Sequence, residues 1–160
     1  MRSLGLLVAF LLGVTLFLVP TAGALGADPA NTATVALSSN AAGATRVVLT
    51  LSLHAELQCG RLMGPAAVIT FPRRFRVPGA IAAGSVLVGT RAARGVAVAG
   101  HVVTIAMPIP RGVICQSIGP GVAKVVFARS AGLGNPSVPG TYTVGLRHGG
   151  ERFAAPVRIR

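Results

Sequence analysis

A chain of 160 residues has room for one ordinary domain, and with 52% hydrophobic and 11% charged residues it is too apolar for a disordered segment. Fourteen arginines and the single Lys124 stand against three acids, Asp28, Glu56 and Glu151, for a formal net charge of +12. So few acids leave little material for catalysis by paired carboxylates or for an oxygen-ligand metal cage.

The first segment reads as a leader. Arg2 precedes an apolar run from Leu4 to Val19, Pro20 breaks it, and Ala22-Gly23-Ala24 and Leu25-Gly26-Ala27 offer small-residue cleavage sites before Leu25 or before Asp28. The run of about sixteen residues is shorter than the ~20 that a spanning helix needs, so an uncleaved membrane anchor is the alternative reading. The expected layout is a signal peptide at 1–27 and one domain at 28–160, secreted or held in the cell envelope, touching a membrane only if cleavage fails.

Beyond the leader, apolar residues alternate with small or polar ones, the period of a half-buried strand. The pattern marks Thr32 to Leu37, Arg46 to Leu53, Ala67 to Phe71 (closed by Pro72) and Ser85 to Val88. It continues at Val96 to Ala99, Val102 to Met107, Val122 to Phe127, Thr141 to Leu146 and Glu151 to Ile159, the last interrupted by Pro156. Gly100-His101 carries glycine at the first central position of a hairpin turn, as type II′ prefers. Gly60 to Pro65 and Pro108 to Gly121 read as loops, and Asn135-Pro136 and Pro139-Gly140 as turns. About nine short strands with regular turn signals and no helical period predict an all-β domain, two antiparallel Greek-key sheets in preference to a closed barrel.

Cys59 and Cys115 are the two cysteines. In an exported chain such a pair reads as a disulfide, and closing a loop of about 57 residues is worth roughly 4 kcal/mol in the chain-entropy model. His54 in a strand, His101 at a hairpin tip and His148 before Gly149-Gly150 are far apart in sequence and read as exposed, so no metal site is expected. There is no nucleophile elbow of the G-x-S-x-G type. Gly119-Pro120-Gly121 is turn chemistry, and no phosphate loop or other cofactor motif is present.

The arginine excess has two readings. Genomic composition can favour arginine over lysine, and a basic surface aids solubility. Alternatively the surface attracts a polyanion outside the cell. The candidate anion contacts are Arg73, Arg74 and Arg76 around Phe75, together with Arg147, Arg152, Arg158 and Arg160 on the last strands, where guanidinium forks could meet phosphate or carboxylate. The Arg73 to Arg76 cluster also reads simply as a solvated loop. Nucleic acid is not an expected partner, because exposed aromatics are not interleaved with the basic residues and the compartment is wrong.

Ile69 to Pro72 (ITFP), Val77 to Ile81 (VPGAI), Val86 to Val88, Val96 to Pro108, and Ala131 to Val144 (AGLGNPSVPGTYTV) resemble, in that order, a domain that recurs in secreted and S-layer-associated bacterial surface proteins. The resemblance covers roughly Arg46 to Arg147, and its last segment is the specific part. It implies an immunoglobulin-like β-sandwich of about seven to nine strands, a structural or adhesive module with no catalytic residues to carry over. The residues read the same way: Asn135 can bond its own backbone and start a turn before Pro136, Gly140 allows a tight start to the next strand, and Tyr142 packs with its hydroxyl at a sheet edge. The chain differs from the pattern in reading as a lone domain, in the Cys59–Cys115 pair, and in arginines where the family has Thr and Ser. The expectation is an exported, non-enzymatic module with a structural or interaction role, its partner an anionic envelope polymer or a surface protein. A secreted enzyme or inhibitor is the remaining alternative.

Overall fold

Alternation along the strands divides this chain into an inside and an outside. The computed structural model describes residues 32–57, 66–108, 118–148 and 150–160, the side chains of 54–57 and 118–123 excepted. The expected signal peptide at 1–27 and both cysteines lie outside the described residues. In chain order the strands are β1 (Thr32–Leu37), β2 (Leu49–Leu57), β3 (Ala66–Thr70), β4 (Val86–Val88), β5 (Arg91–Ala92), β6 (Gly95–Ala99), β7 (Val102–Ala106), β8 (Ile118–Phe127), β9 (Gly140–His148) and β10 (Glu151–Ile159). They form two antiparallel five-stranded sheets, ordered β1-β2-β8-β4-β5 and β10-β9-β3-β7-β6. The fold is the expected sandwich of immunoglobulin-like type, with ten strands among the described residues where about nine were expected.

The core lies between the sheets. One sheet contributes Leu49, Leu51 and Leu53, Val86, Val125 and Phe127; the other contributes Ile69, Val103 and Ile105, Val144 and Leu146, and Phe153, Val157 and Ile159, all buried. Burying each such side chain is worth about 1.5–3 kcal/mol relative to exposing it. A slip of one residue would turn each row outward, so the rows fix the register. Thr32, Thr34 and Thr70 stay exposed on the opposite faces of their strands.

The departures from the expected strand limits have local causes. β5 is two residues long, too short for alternation to show. β2 starts at Leu49 and not at Arg46, because Arg46 takes a left-handed backbone (φ 52) and Val47 pairs with Leu133 instead. β8 starts four residues earlier than expected, at Ile118, and runs through Gly119-Pro120-Gly121. There the pairing moves from Ala55↔Gly121 to Leu57↔Ile118, a bulge that absorbs the proline. At the β6–β7 turn Gly100 has φ 59 while His101 stays negative, as a type II′ turn requires.

Pairing also determines which connections share an end. Leu57 pairs with Ile118, Ala66 with Ala106, and His148 with Glu151, so connections 58–65, 109–117 and the β9–β10 turn leave from one end. The opposite end carries the β1–β2 connection, the segment after β3, the Gly100 turn, the β8–β9 connection and Arg160.

Candidate functional site

The second of these ends is assembled around Leu133 to Pro136, which acts as a short extra strand between two loops. On one side Arg76 N–H donates to Gly134 O (2.9 Å) and Gly134 N–H to Arg76 O (3.0 Å). On the other side Val47 N–H donates to Leu133 O (2.9 Å), Asn135 N–H to Ala44 O (2.8 Å) and Gly43 N–H to Pro136 O (2.7 Å). Gly134 suits this close approach: a Cβ there would stand 3.2 Å from Ala44 O and 3.3 Å from Arg76 Cβ, so a neighbour would have to give by a few tenths of an ångström.

Asn135 is fully buried, and its role differs from the expected turn. Its Nδ2 donates to Ser39 O (2.8 Å) and Ala41 O (2.9 Å), nearly a hundred residues back along the chain. It therefore staples the β1–β2 connection to the β8–β9 connection. Its Oδ1 is buried and has no partner among the described residues. Arg160 N–H donates to Asn40 O and Ala42 N–H to Arg160 O, both at 2.8 Å, which ties the last residue to the same loop.

Beside this seam the Arg73 to Arg76 loop divides by side chain. A turn closed by Phe75 N–H to Pro72 O (2.9 Å) points Phe75 inward. Its ring lies 5.9 Å from Phe71 and meets Tyr142 edge-on at 5.9 Å and 89°. Tyr142 donates its hydroxyl to Val138 O at 2.7 Å, four residues upstream at the start of β9, the arrangement of a tyrosine corner. With Phe75 anchored, Arg73, Arg74 and Arg76 are left exposed.

The seven arginines singled out from the sequence fall into two groups. Arg73, Arg74, Arg76, Arg158 and Arg160 gather at the seam end, with Arg158 opposite Thr141 on the outer face of β10. Arg147 and Arg152 lie at the other end of β9 and β10, directly opposite each other and both exposed. Like charges facing each other across an antiparallel pair repel. Two further arginines join the seam end, Arg46 in the β1–β2 connection and Arg129 in the short 3-10 turn Arg129–Ala131. Neither stands out in the sequence: Arg46 opens the alternating run RVVLTLSL, and Arg129 follows β8 with no motif around it. The segments that make this end contain no Asp or Glu. Glu151 and Glu56 belong to the other end of the sandwich.

Among the described side chains the histidines form no site. His148, expected to be exposed, is 5% exposed. β9 runs two residues past Leu146, so His148 falls on the inward parity with Val144 and Leu146, and its Nδ1 lies 3.0 Å from Ala66 O. His101 Nδ1 is buried without a partner among the described residues. No three His, Cys, Asp or Glu side chains come together among the described residues.

No protein-family model matches the chain, and no curated protein sequence matches it. Among solved structures it is similar to BslA, a bacterial hydrophobin, at 17% identity and a TM-score of 0.50, over 81% of this chain and 96% of that one. It is also similar to the N-terminal domain of the Streptococcus gordonii adhesin Sgo0707, at 14% identity and a TM-score of 0.51, over 82% of this chain and 32% of that one. At these identities the likeness is one of fold: a two-layer antiparallel sandwich with its connections gathered at two ends.

Proposed function

We propose that the chain is an exported, non-enzymatic surface module that binds an anionic polymer of the cell envelope through its arginine-rich end. The observation that carries this reading is one basic end without compensating acids. Half of the fourteen arginines (Arg46, Arg73, Arg74, Arg76, Arg129, Arg158 and Arg160) belong to one end of the sandwich, and its segments contain no acid. Genomic preference for arginine over lysine would not by itself keep acids away from one end. An uncompensated basic surface raises the local concentration of polyanions, and each guanidinium offers a fork that matches phosphate or carboxylate.

The fold likeness supports the setting, since the two similar structures are named a hydrophobin and an adhesin.

Retention on isolated cell walls tests the proposal. Binding is expected at low salt and should fall steeply toward 1 M salt, where the Debye length shrinks to about 3 Å. Replacing Arg73, Arg74 and Arg76 together by serine should weaken retention. Absent or salt-insensitive binding overturns the reading.

A further inference from the structure

Between the β1–β2 connection and the 3-10 turn after β8 lies a cleft of about 710 Å³, lined by Ser38, Ser39, Thr45, Arg46, Arg129 and Ser130. Its polar lining is entirely hydroxyl and guanidinium, with no aromatic ring and no carboxylate. Ser38 Oγ accepts the N–H of Val48 at 2.9 Å, and Ser39 Oγ accepts the N–H of Ala41 at 3.3 Å. Both hydroxyls therefore keep their own proton to donate.

The backbone at Arg46 is a second, independent sign. Among the described residues it is the one non-glycine with positive φ, at 52°. In this region a β-carbon crowds the backbone and glycine is the easier residue. Such outliers persist where the surroundings hold them, and they cluster at ligand sites. Here the surroundings are the bonds from Val47 to Leu133 and from Asn135 to Ala44, Ser39 and Ala41. The chain thus keeps an arginine at the mouth of a hydroxyl-lined cleft in a conformation that would suit glycine better.

We propose that this cleft binds the oxyanion, phosphate or carboxylate, of an acidic sugar or polyol unit within a polyhydroxylated polymer. Arg46 and Arg129 take the oxyanion through charge-assisted hydrogen bonds, and the serine and threonine hydroxyls take the adjoining sugar hydroxyls. With no ring to stack on a neutral sugar face, the cleft selects by charge. The inference rests on the reading of this end as the polymer-binding end. It assigns the specific contact to the cleft, leaving Arg73, Arg74 and Arg76 to supply general attraction from outside it.

Calorimetric titration of the purified protein with four probes tests it: a hexuronate trisaccharide, a glycerol-phosphate trimer, inorganic phosphate and a neutral trisaccharide. Saturable one-to-one binding of an acidic oligomer is expected, the preferred one identifying the oxyanion, with no binding of the neutral sugar. R46A and R129A should each weaken that binding roughly tenfold or more, the scale of a lost hydrogen bond to a charged group. R73A/R74A should leave oligomer affinity within about twofold while loosening retention on whole walls. R46G should weaken the binding as much as R46A does, with a melting temperature no lower than that of the parent, which separates loss of the guanidinium from collapse of the loop. Unchanged oligomer affinity in R46A and R129A overturns the site even if wall retention persists. Inorganic phosphate binding as tightly as the oligomers overturns the sugar assignment, and a lower melting temperature for R46G overturns the argument from its backbone. Oligomer binding without wall retention overturns the broader reading and leaves the cleft standing.

Discussion

At the end of the sandwich where β8 leads into β9, loops carry hydrogen bonding between connections; toward the opposite end, the hydrogen bonding among the described residues is mainly that of paired strands. The first end is held by Leu133 to Pro136 inserted between residues 43–47 and Arg76, and by Asn135 reaching two carbonyls of the β1–β2 connection. The second is held by β2 and β8 pairing as far as Leu57 and Ile118, and by β3 and β7 as far as Ala66 and Ala106. Binding residues tend to sit on loops that a rigid scaffold positions. The arginine-rich end meets that condition because its loops are bonded to each other as well as to the sheets.

The largest effect should come from removing the anchor of the arginine loop. Phe75→Ala deletes a ring that is 2% exposed and touches both Phe71 and Tyr142, and it is expected to cost about 4 kcal/mol in urea unfolding. Phe153→Ala, deleting a ring 6% exposed near the start of β10, should cost a similar amount. The two differ in function: at equal folded fraction, the Phe75 variant should lose wall retention and the Phe153 variant should keep it. Equal loss in both would break the distinction between the ends.

The next effect belongs to the other end. Cys59 is two residues beyond Leu57, and Cys115 is three residues before Ile118, which are themselves paired. At up to ~3.5 Å per residue, tethers of two and three residues from that pair are short enough to allow the proposed bridge. The native protein should gain two hydrogens in intact mass on reduction and lose up to about 4 kcal/mol of stability. Oligomer binding at the arginine end should be unaffected while the protein stays folded. Two free thiols in the native protein would refute the bridge.

How far the sequence speaks for itself differs in the same way between strands and seam. The bounds of β1 and β10 and the hairpin at Gly100 are legible because each lies in a run where alternation persists, and a glycine precedes β10 and makes the hairpin turn. The fate of Asn135 is not, because Asn-Pro reads as local turn chemistry while its actual partners are Ser39 and Ala41. His148 reads as an exposed turn residue because nothing in the sequence marks that β9 continues past Leu146. The candidate arginines on β10 and after β3 were visible as charge. Arg46 and Arg129 were not, since what makes them a pair is a contact between connections some eighty residues apart, and no periodicity encodes that.

Asn135 gives the sharpest test of the seam, with the smallest expected effect. Asn135→Ala removes two hydrogen bonds from a fully buried amide to Ser39 O and Ala41 O. The loss should amount to about 2–3 kcal/mol, since the carbonyls lose their donors and the site is left with a gap. For a domain of this size that is a fall in melting temperature on the order of 10 °C. A local Asn-Pro turn, by contrast, would lose about 1 kcal/mol or less on the same change, as with other side chain to backbone bonds at exposed turns. The two cases also differ in reach. If Asn135 is a staple, hydrogen exchange should speed up at Ala42, Gly43 and Ala44 as well as around residue 135, because those amides bond across the seam or within the loop it holds. Oligomer affinity should fall with them, since Ser39 and Arg46 ride on that loop. Exchange confined to residues 134–138, with affinity intact, would return Asn135 to the role of a turn former and leave the arginine end held by its backbone pairs alone.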